Sequence, residues 1–290
     1  MSPRPLVVSL AAILCLAGCN GADSSPVGRT EQGLSSGLPT LGSAADYAVL
    51  ANAAITCTDG SISGSVGTLQ SPPEGSVTQT NCPIAGSIDI GNAASTAAYA
   101  DFLRAYDAVA DQPCDEFLTG TLDGVTLTPG TYCFSAAAEL TGTLTLDGPS
   151  TATWIFKIGT SGTGALTGTN FNVVMAGGGD PCNVTWWIAE AATLTDSNFL
   201  GTILAGAADT VTRGTFDGRT FAKADVTITG AAMTACIGGS IGGNPKPNPK
   251  AHCNQGVGNG AEGCDPGNSN NHNPTNDESG GTPGKPGRKP

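Results

Sequence analysis

The chain has 290 residues, enough for one or two domains, and a formal net charge of −12 from 12 Lys and Arg against 24 Asp and Glu. That balance excludes a nucleic-acid surface, whose phosphates need a basic face, and by itself identifies no partner. Charged residues make up only 12% of the chain and Gly numbers 42, a composition rich in small residues that suits stacked strands with tight corners and not a helical bundle.

Residues 1–18 read as an export signal: Arg4 supplies the positive start, residues 6–14 the apolar run, and Leu16-Ala17-Gly18-Cys19 the cleavage region. The run is too short to span a bilayer as a helix. An ordinary signal peptide that happens to contain Cys is one reading. Leu-Ala-Gly-Cys at this place also resembles the bacterial lipoprotein signal, which implies lipidation of Cys19 and a membrane contact made only through that anchor. Asn20 stands where Asp tends to mark inner-membrane retention, so the resemblance implies an outer-membrane or cell-surface location. Residues 19–40 are Gly-, Ser- and Thr-rich without apolar periodicity and are expected to form a flexible tether.

The folded domain is expected over residues 41–238. Residues 41–51 and 54–57 read as short strands, and Pro72, Pro73 and Pro83 interrupt anything longer. From Ala93 to Ala110 the period changes. Ala94, Ala98, Phe102, Tyr106 and Val109 fall at steps of three and four, Asn92 or Ser95 can cap the start, and Pro113 ends the segment. This is one amphipathic helix, expected to cover a side of the domain. Strand-like segments resume from Thr119, and residues 154–158 (WIFKI) and 184–188 (VTWWI) supply bulky core.

Between Leu166 and Met233 a short pattern returns: an apolar residue, Thr, two variable positions, Asn or Thr, then a large apolar residue. It reads LTGTNF from Leu166, LTDSNF from Leu194, VTRGTF from Val211 and ITGAAM from Ile228. The last three copies keep a step of 17 residues, shared by Thr193, Thr210 and Thr227. A fixed step with small and β-branched residues marks a solenoid, and its length fits one turn of three short strands. Leu166 and Phe171 both look buried, yet strict alternation would put them on opposite faces, so the chain must bend within the motif. Asn170 and Asn198 can then stack as a ladder that satisfies corner backbone groups, with Thr filling β-branched positions.

Beyond residue 238 the sequence changes character. Residues 244–250 (NPKPNPK) form a stiff linker, Cys253 and Cys264 bound a Gly- and Asn-rich loop, and the remainder is expected to be disordered. Asn254, Asn259, Glu262 and Asp265 offer oxygens for calcium, but their spacing matches no EF-hand loop. Of the 10 cysteines, Cys15 leaves with the signal and Cys19 is the candidate lipid site. Disulfides are expected for the others, with Cys57–Cys82, Cys114–Cys133, Cys253–Cys264 and Cys182–Cys236 plausible among 105 pairings. Zinc is the weaker use, because no CxxC pair occurs and no His lies nearby.

Residues 41–51 (LGSAADYAVLA), 127–135 (LTPGTYCFS) and 140–146 (LTGTLTL) resemble the microbial ice-binding protein family, as do 182–187 (CNVTWW), 199–205 (FLGTILA) and 218–224 (GRTFAKA). The resemblance implies a mostly β fold: a right-handed parallel β-solenoid of three-faced coils, discontinuous in sequence, with one long helix alongside. It also implies that the partner is an ice crystal surface. No cofactor or metal is called for, and the chain is expected to act as a monomer. In similar proteins the contact face carries Thr, a small residue, any residue, then Thr or Asn. Thr167-Gly168-Thr169-Asn170 matches in full. Thr195, Ser197 and Asn198, Thr212 and Thr215, and Thr229 keep parts of it, with Asp196 and Arg213 where a small residue is expected. A protruding charge there would hold its own hydration shell.

Two other functions compete with this one. Solenoid lyases and hydrolases need clustered Asp, Arg or Lys, and Asp196, Arg213 and Asp217 can approach one another on adjacent turns, but a surface ion pair explains them as well. A surface adhesin or glycan-binding module can use the same scaffold without ice activity.

Overall fold

The computed structural model describes residues 38–236. The expected export signal, the candidate lipid site Cys19, the expected tether up to residue 37, Cys253, Cys264 and the tail lie outside the described residues. In chain order the strands are β1 (Tyr47–Ala51), β2 (Ala54–Thr58), β3 (Ser61–Ser63), β4 (Ser65–Thr68), β5 (Ser76–Thr80) and β6 (Ile88–Ile90). The helix α1 (Ala93–Ala110) follows, then β7 (Glu116–Phe117), β8 (Thr126–Leu127), β9 (Gly130–Phe134), β10 (Ala138–Asp147), β11 (Trp154–Ile158) and β12 (Leu166–Ala176). Last come β13 (Val184–Ile188), β14 (Ala192–Ala205), β15 (Asp209–Ala222) and β16 (Val226–Thr234). The expected strand over residues 41–46 is instead a 3-10 turn, Gly42–Asp46. It opens on Gly42 with φ of 51° and is held by Ser43, whose N–H and hydroxyl donate to Asp101 on α1.

Every strand pairing is parallel, and the coils have three faces. One face stacks β5, β2 and β16 onto the first halves of β15, β14, β12 and β10. A second stacks β3 and the later parts of those long strands. The third runs β6-β4-β1-β15-β14-β13-β11-β9-β7 and lies under the helix. The order is discontinuous. The chain begins in mid-stack at β1, builds one end through β6, crosses over α1 to the far end, and winds back until β16 pairs with β2 and β3.

The bend demanded by Leu166 and Phe171 is a left-handed residue at each corner between the first two faces. Asn170, Asp196, Arg213, Gly230 and Asp59 have φ of 49°, 51°, 58°, 64° and 51°, and Asn81 has 49°. Each lets two successive residues leave the pleat's alternation, so that Leu166 and Phe171 both point inward. Inside, rings of Tyr132, Phe156, Trp186, Phe199 and Phe216 follow one another across rungs, with centroids 5.7, 3.9, 4.9 and 5.3 Å apart.

Helix α1 starts where Asn92 accepts from Ser95 N–H, so Asn92 is the cap and Ser95 is buried. Its buried stripe is Ala98, Tyr99, Phe102, Ala105, Tyr106 and Val109, while Ala94 is exposed. At 18 residues it is about 27 Å long, close to the roughly 24 Å from β4 to β11, so it runs along the stack. Phe102 packs on Phe221, Tyr106 packs on Trp187, and the buried Lys157 donates to the carbonyls of Ala110 and Gln112 at the helix end. Disulfides join Cys57 to Cys82, Cys114 to Cys133 and Cys182 to Cys236, three of the four expected pairs.

One interior position breaks the apolar pattern. Asp209 occupies the inward column between Ala192 and Val226 and is fully buried, accepting from the Thr220 hydroxyl. Burial pushes its carboxyl up to about 7. The folded state thus holds a proton that the unfolded state releases at ordinary carboxylate pH, so this group's contribution to stability is full at low pH and is lost as pH rises from about 4 to 7. Thermal melts between pH 4 and 8 are expected to show Tm falling over that window, and Asp209→Asn to flatten the fall and raise Tm at pH 8.

Candidate functional site

The first face carries an outward array that the registers define residue by residue. Thr167 pairs with Thr193, then Thr210, Thr227, Thr56 and Thr78. Two residues along each strand, Thr169 pairs with Thr195, then Thr212, Thr229, Thr58 and Thr80. No register shift interrupts either column. Rungs stack at roughly 4.8 Å, so six span about 24 Å, and the columns lie about 6.6 Å apart. The threonines are exposed at the ends and half-buried in the middle, where each crowds the next. Between them Leu194, Val211, Ile228 and Cys57 point inward and are buried, which fixes the strand beneath. The disulfide from Cys57 to Cys82 ties the end strand β5 to this frame.

Of the residues expected at a contact, Thr167, Thr169, Thr195, Thr212 and Thr229 share this face. Asn170 is a corner residue, and Asn198 and Thr215 lie around the corner on the second face. Ser197 does not reach the surface. It is 2% exposed, accepts from Phe171 N–H at 3.1 Å and bonds the Thr195 carbonyl at 2.9 Å. The expected ladder of Asn170 and Asn198 is also shifted: Asn198 donates to Asn172 at 2.7 Å and accepts from Thr215 at 2.8 Å.

The shift has one source. Aligning LTGTNF on LTDSNF sets Thr167 beside Thr195, whereas the strands pair Thr167 with Thr193. Packing decides it: Gly168 lies beside Leu194, and a Cβ at Gly168 would sit 2.8 Å from Leu194 Cδ2. Gly168 with Phe171 on one rung thus complements Leu194 with Ser197 on the next, small against large at both places. Thr193, Thr210 and Thr227 carried a signal in their shared 17-residue step. Thr56, Thr58, Thr78 and Thr80 carried none, because they reach the array through the non-local pairing of β2 with β16.

Residues 49–234 match the family described as Ice-binding-like. An ice-binding protein of Flavobacterium frigoris (strain PS1) is 32% identical over 222 residues, covering 70% of this chain and 78% of that one. The chain belongs to the ice-binding-like family. Another relative, the ice-binding protein of Nostoc sp. (strain HG1), is 38% identical over 185 residues, 61% of this chain and 65% of its own length, so the match spans just under two thirds of that protein. Among solved structures, an ice-binding protein from the Antarctic ascomycete Antarctomyces psychrotrophicus superposes with a TM-score of 0.64 at 29% identity, covering 70% of this chain and all of that one. One from an Antarctic Flavobacteriaceae bacterium gives 0.63 at 34% identity, over 70% of this chain and 48% of that one.

In this ice-binding-like solenoid the two charges within the motif are off the threonine array. Asp196 and Arg213 stand on the corner and bind each other in two bonds of 2.6 and 2.7 Å, and the bonds from Arg213 hold the Asp196 carboxyl below the usual carboxylate range. Asp217 faces away on the second face, paired in register with Leu200 and Thr234. Ser197→Ala would leave the buried Phe171 N–H without an acceptor. It is expected to destabilise the domain by about 1–3 kcal/mol in urea unfolding, with the exposed threonines unchanged.

Proposed function

We propose that the protein binds ice, non-catalytically, through the two threonine columns of the first face. The observation that carries this is their uninterrupted parallel register, six threonines deep in each column. Threonine is stiff at χ1, so strands fixed from below hold each methyl and hydroxyl in one orientation. A regular array of methyls spaced by hydroxyls orders adjacent water in a repeating pattern, and ice grows onto or docks against that pattern. No reactive group takes part. Affinity comes from preorganisation: little conformational entropy is left to lose on contact. The names of the relatives, ice-binding proteins from cyanobacterial, bacterial and fungal sources, support the same reading.

The test uses the full chain carrying Cys19→Ser for soluble recovery. Thr210→Tyr, in mid-column, is expected to abolish ice shaping and lower recrystallisation inhibition at least tenfold, the equivalent of about 1.4 kcal/mol. Thr234→Tyr on the second face is expected to leave both unchanged. Full activity in Thr210→Tyr would move the contact to another face, whereas no ice shaping by the parent chain would favour the glycan-binding reading.

The corner ion pair gives a second test. Asp196→Ala frees the Arg213 guanidinium beside Thr195 and Thr212, where it gathers ordered hydration of its own. The single variant is therefore expected to lose more recrystallisation inhibition than Asp196→Ala with Arg213→Ala, which removes both charges. As for location, a lipid on Cys19 would hold the face at the cell surface and make it an ice-adhesion device. Incorporation of labelled palmitate, lost in Cys19→Ser, tests that part alone.

A further inference from the structure

We propose that Glu139 sets the working limit of the threonine face, and that β10 is a seventh rung kept out of the contact by this one carboxylate. The inference rests on the ice-contact reading above.

From Ala138 to Leu140 the backbone of β10 is already that of a rung. Ala138, Glu139 and Leu140 pair with Leu166, Thr167 and Gly168, continuing the array's register. Ala138 and Leu140 point inward and are buried, 3% and 0% exposed, in the columns that Leu166 and Gly168 occupy. Glu139 is exposed between them, in line with Thr167 and the five threonines beyond it. Thr141 follows, also exposed, before the chain turns at Gly142 with φ of 73°.

Between Leu140 and Gly142 the register shifts, one residue facing the two of β12, so only the first column runs on into β10 without a break, and there chemistry separates Glu139 from its neighbours. Glu139 is the one charged side chain in either column. The ion pairs among the described residues, Arg104 with Asp101 and Arg213 with Asp196, do not include it. The corner charges neutralise each other at the rim, whereas Glu139 stands within the lattice of the array. A carboxylate is strongly hydrated, and removing that shell is expensive without a cation to take its place. It also brings no methyl group. Water over β10 is therefore arranged around the carboxylate and not around the repeat, and the template ends at Thr167.

The experiment compares recrystallisation inhibition and thermal hysteresis in the full chain with Cys19→Ser, alone and with Glu139→Thr, Glu139→Gln or Thr210→Tyr. Folding of each is checked by far-UV circular dichroism and Tm. Glu139→Thr is expected to lower the concentration for half-maximal inhibition by roughly three- to tenfold, up to about 1.4 kcal/mol. Glu139→Gln, which removes charge without adding a methyl, is expected to give a smaller gain. Unchanged activity in a folded Glu139→Thr, alongside loss in Thr210→Tyr, overturns the limit at Glu139 and leaves the face assignment standing. Retained activity in Thr210→Tyr removes the face and this proposal together. If Glu139→Thr does not fold, Glu139→Gln decides: a gain supports the proposal and no change overturns it.

Discussion

The molecule depends on a backbone event repeated at the same place in coil after coil. A strand that alternates strictly cannot put Leu166 and Phe171 on the same side. One residue in the left-handed region between them solves this and turns the chain onto the next face. Away from glycine such a residue costs of order 1–3 kcal/mol, least for Asn and Asp. Four of the six corner residues from Asn170 to Asn81 are of those two types and a fifth is Gly230. Arg213 is the exception, and its two bonds to Asp196 compensate it, much as Asn81 donates to Asp59 further along. Because the corners stack, the strands before them end at a common edge, and a straight-edged face is the result.

What keeps that face rigid lies behind it. The aromatic run from Tyr132 to Phe216 fills the interior across rungs, and the helix is fastened by ring contacts and by tyrosine hydroxyls of Tyr99 and Tyr106 on the carbonyls of Ala222 and Ile188. Close packing of this kind resists local displacement. The second face is built otherwise. Its Asn172, Asn198 and Thr215 spend their polar groups on one another, which suits a surface that holds coils together.

The sequence made the architecture legible where the signal was local. The helix over Ala93–Ala110 declared itself through its change of period, and the solenoid through its 17-residue step. The bend within the motif followed from the five-residue interval between two apolar side chains. What stayed hidden was non-local. The register of β12 against β14 is set by which small residue lies under which large one, Gly168 beside Leu194, and a motif alignment has no access to that. Likewise Thr56 and Thr78 sit far from Thr227 in sequence and reach it only through the closing of the fold. Four of the six rungs lie in the repeat, and the other two are a product of topology.

That topology has a bearing on biogenesis. The strands β2 and β5 leave the ribosome early, but the neighbour that completes their column, β16, is nearly the last described segment to be made. A nascent or prematurely ended chain holds its early threonines on strands that lack this partner. The finished lattice therefore waits for β16, which joins the two rungs of β2 and β5 to the three of β12, β14 and β15, and a chain ended before it holds two short arrays where the complete fold has one long one.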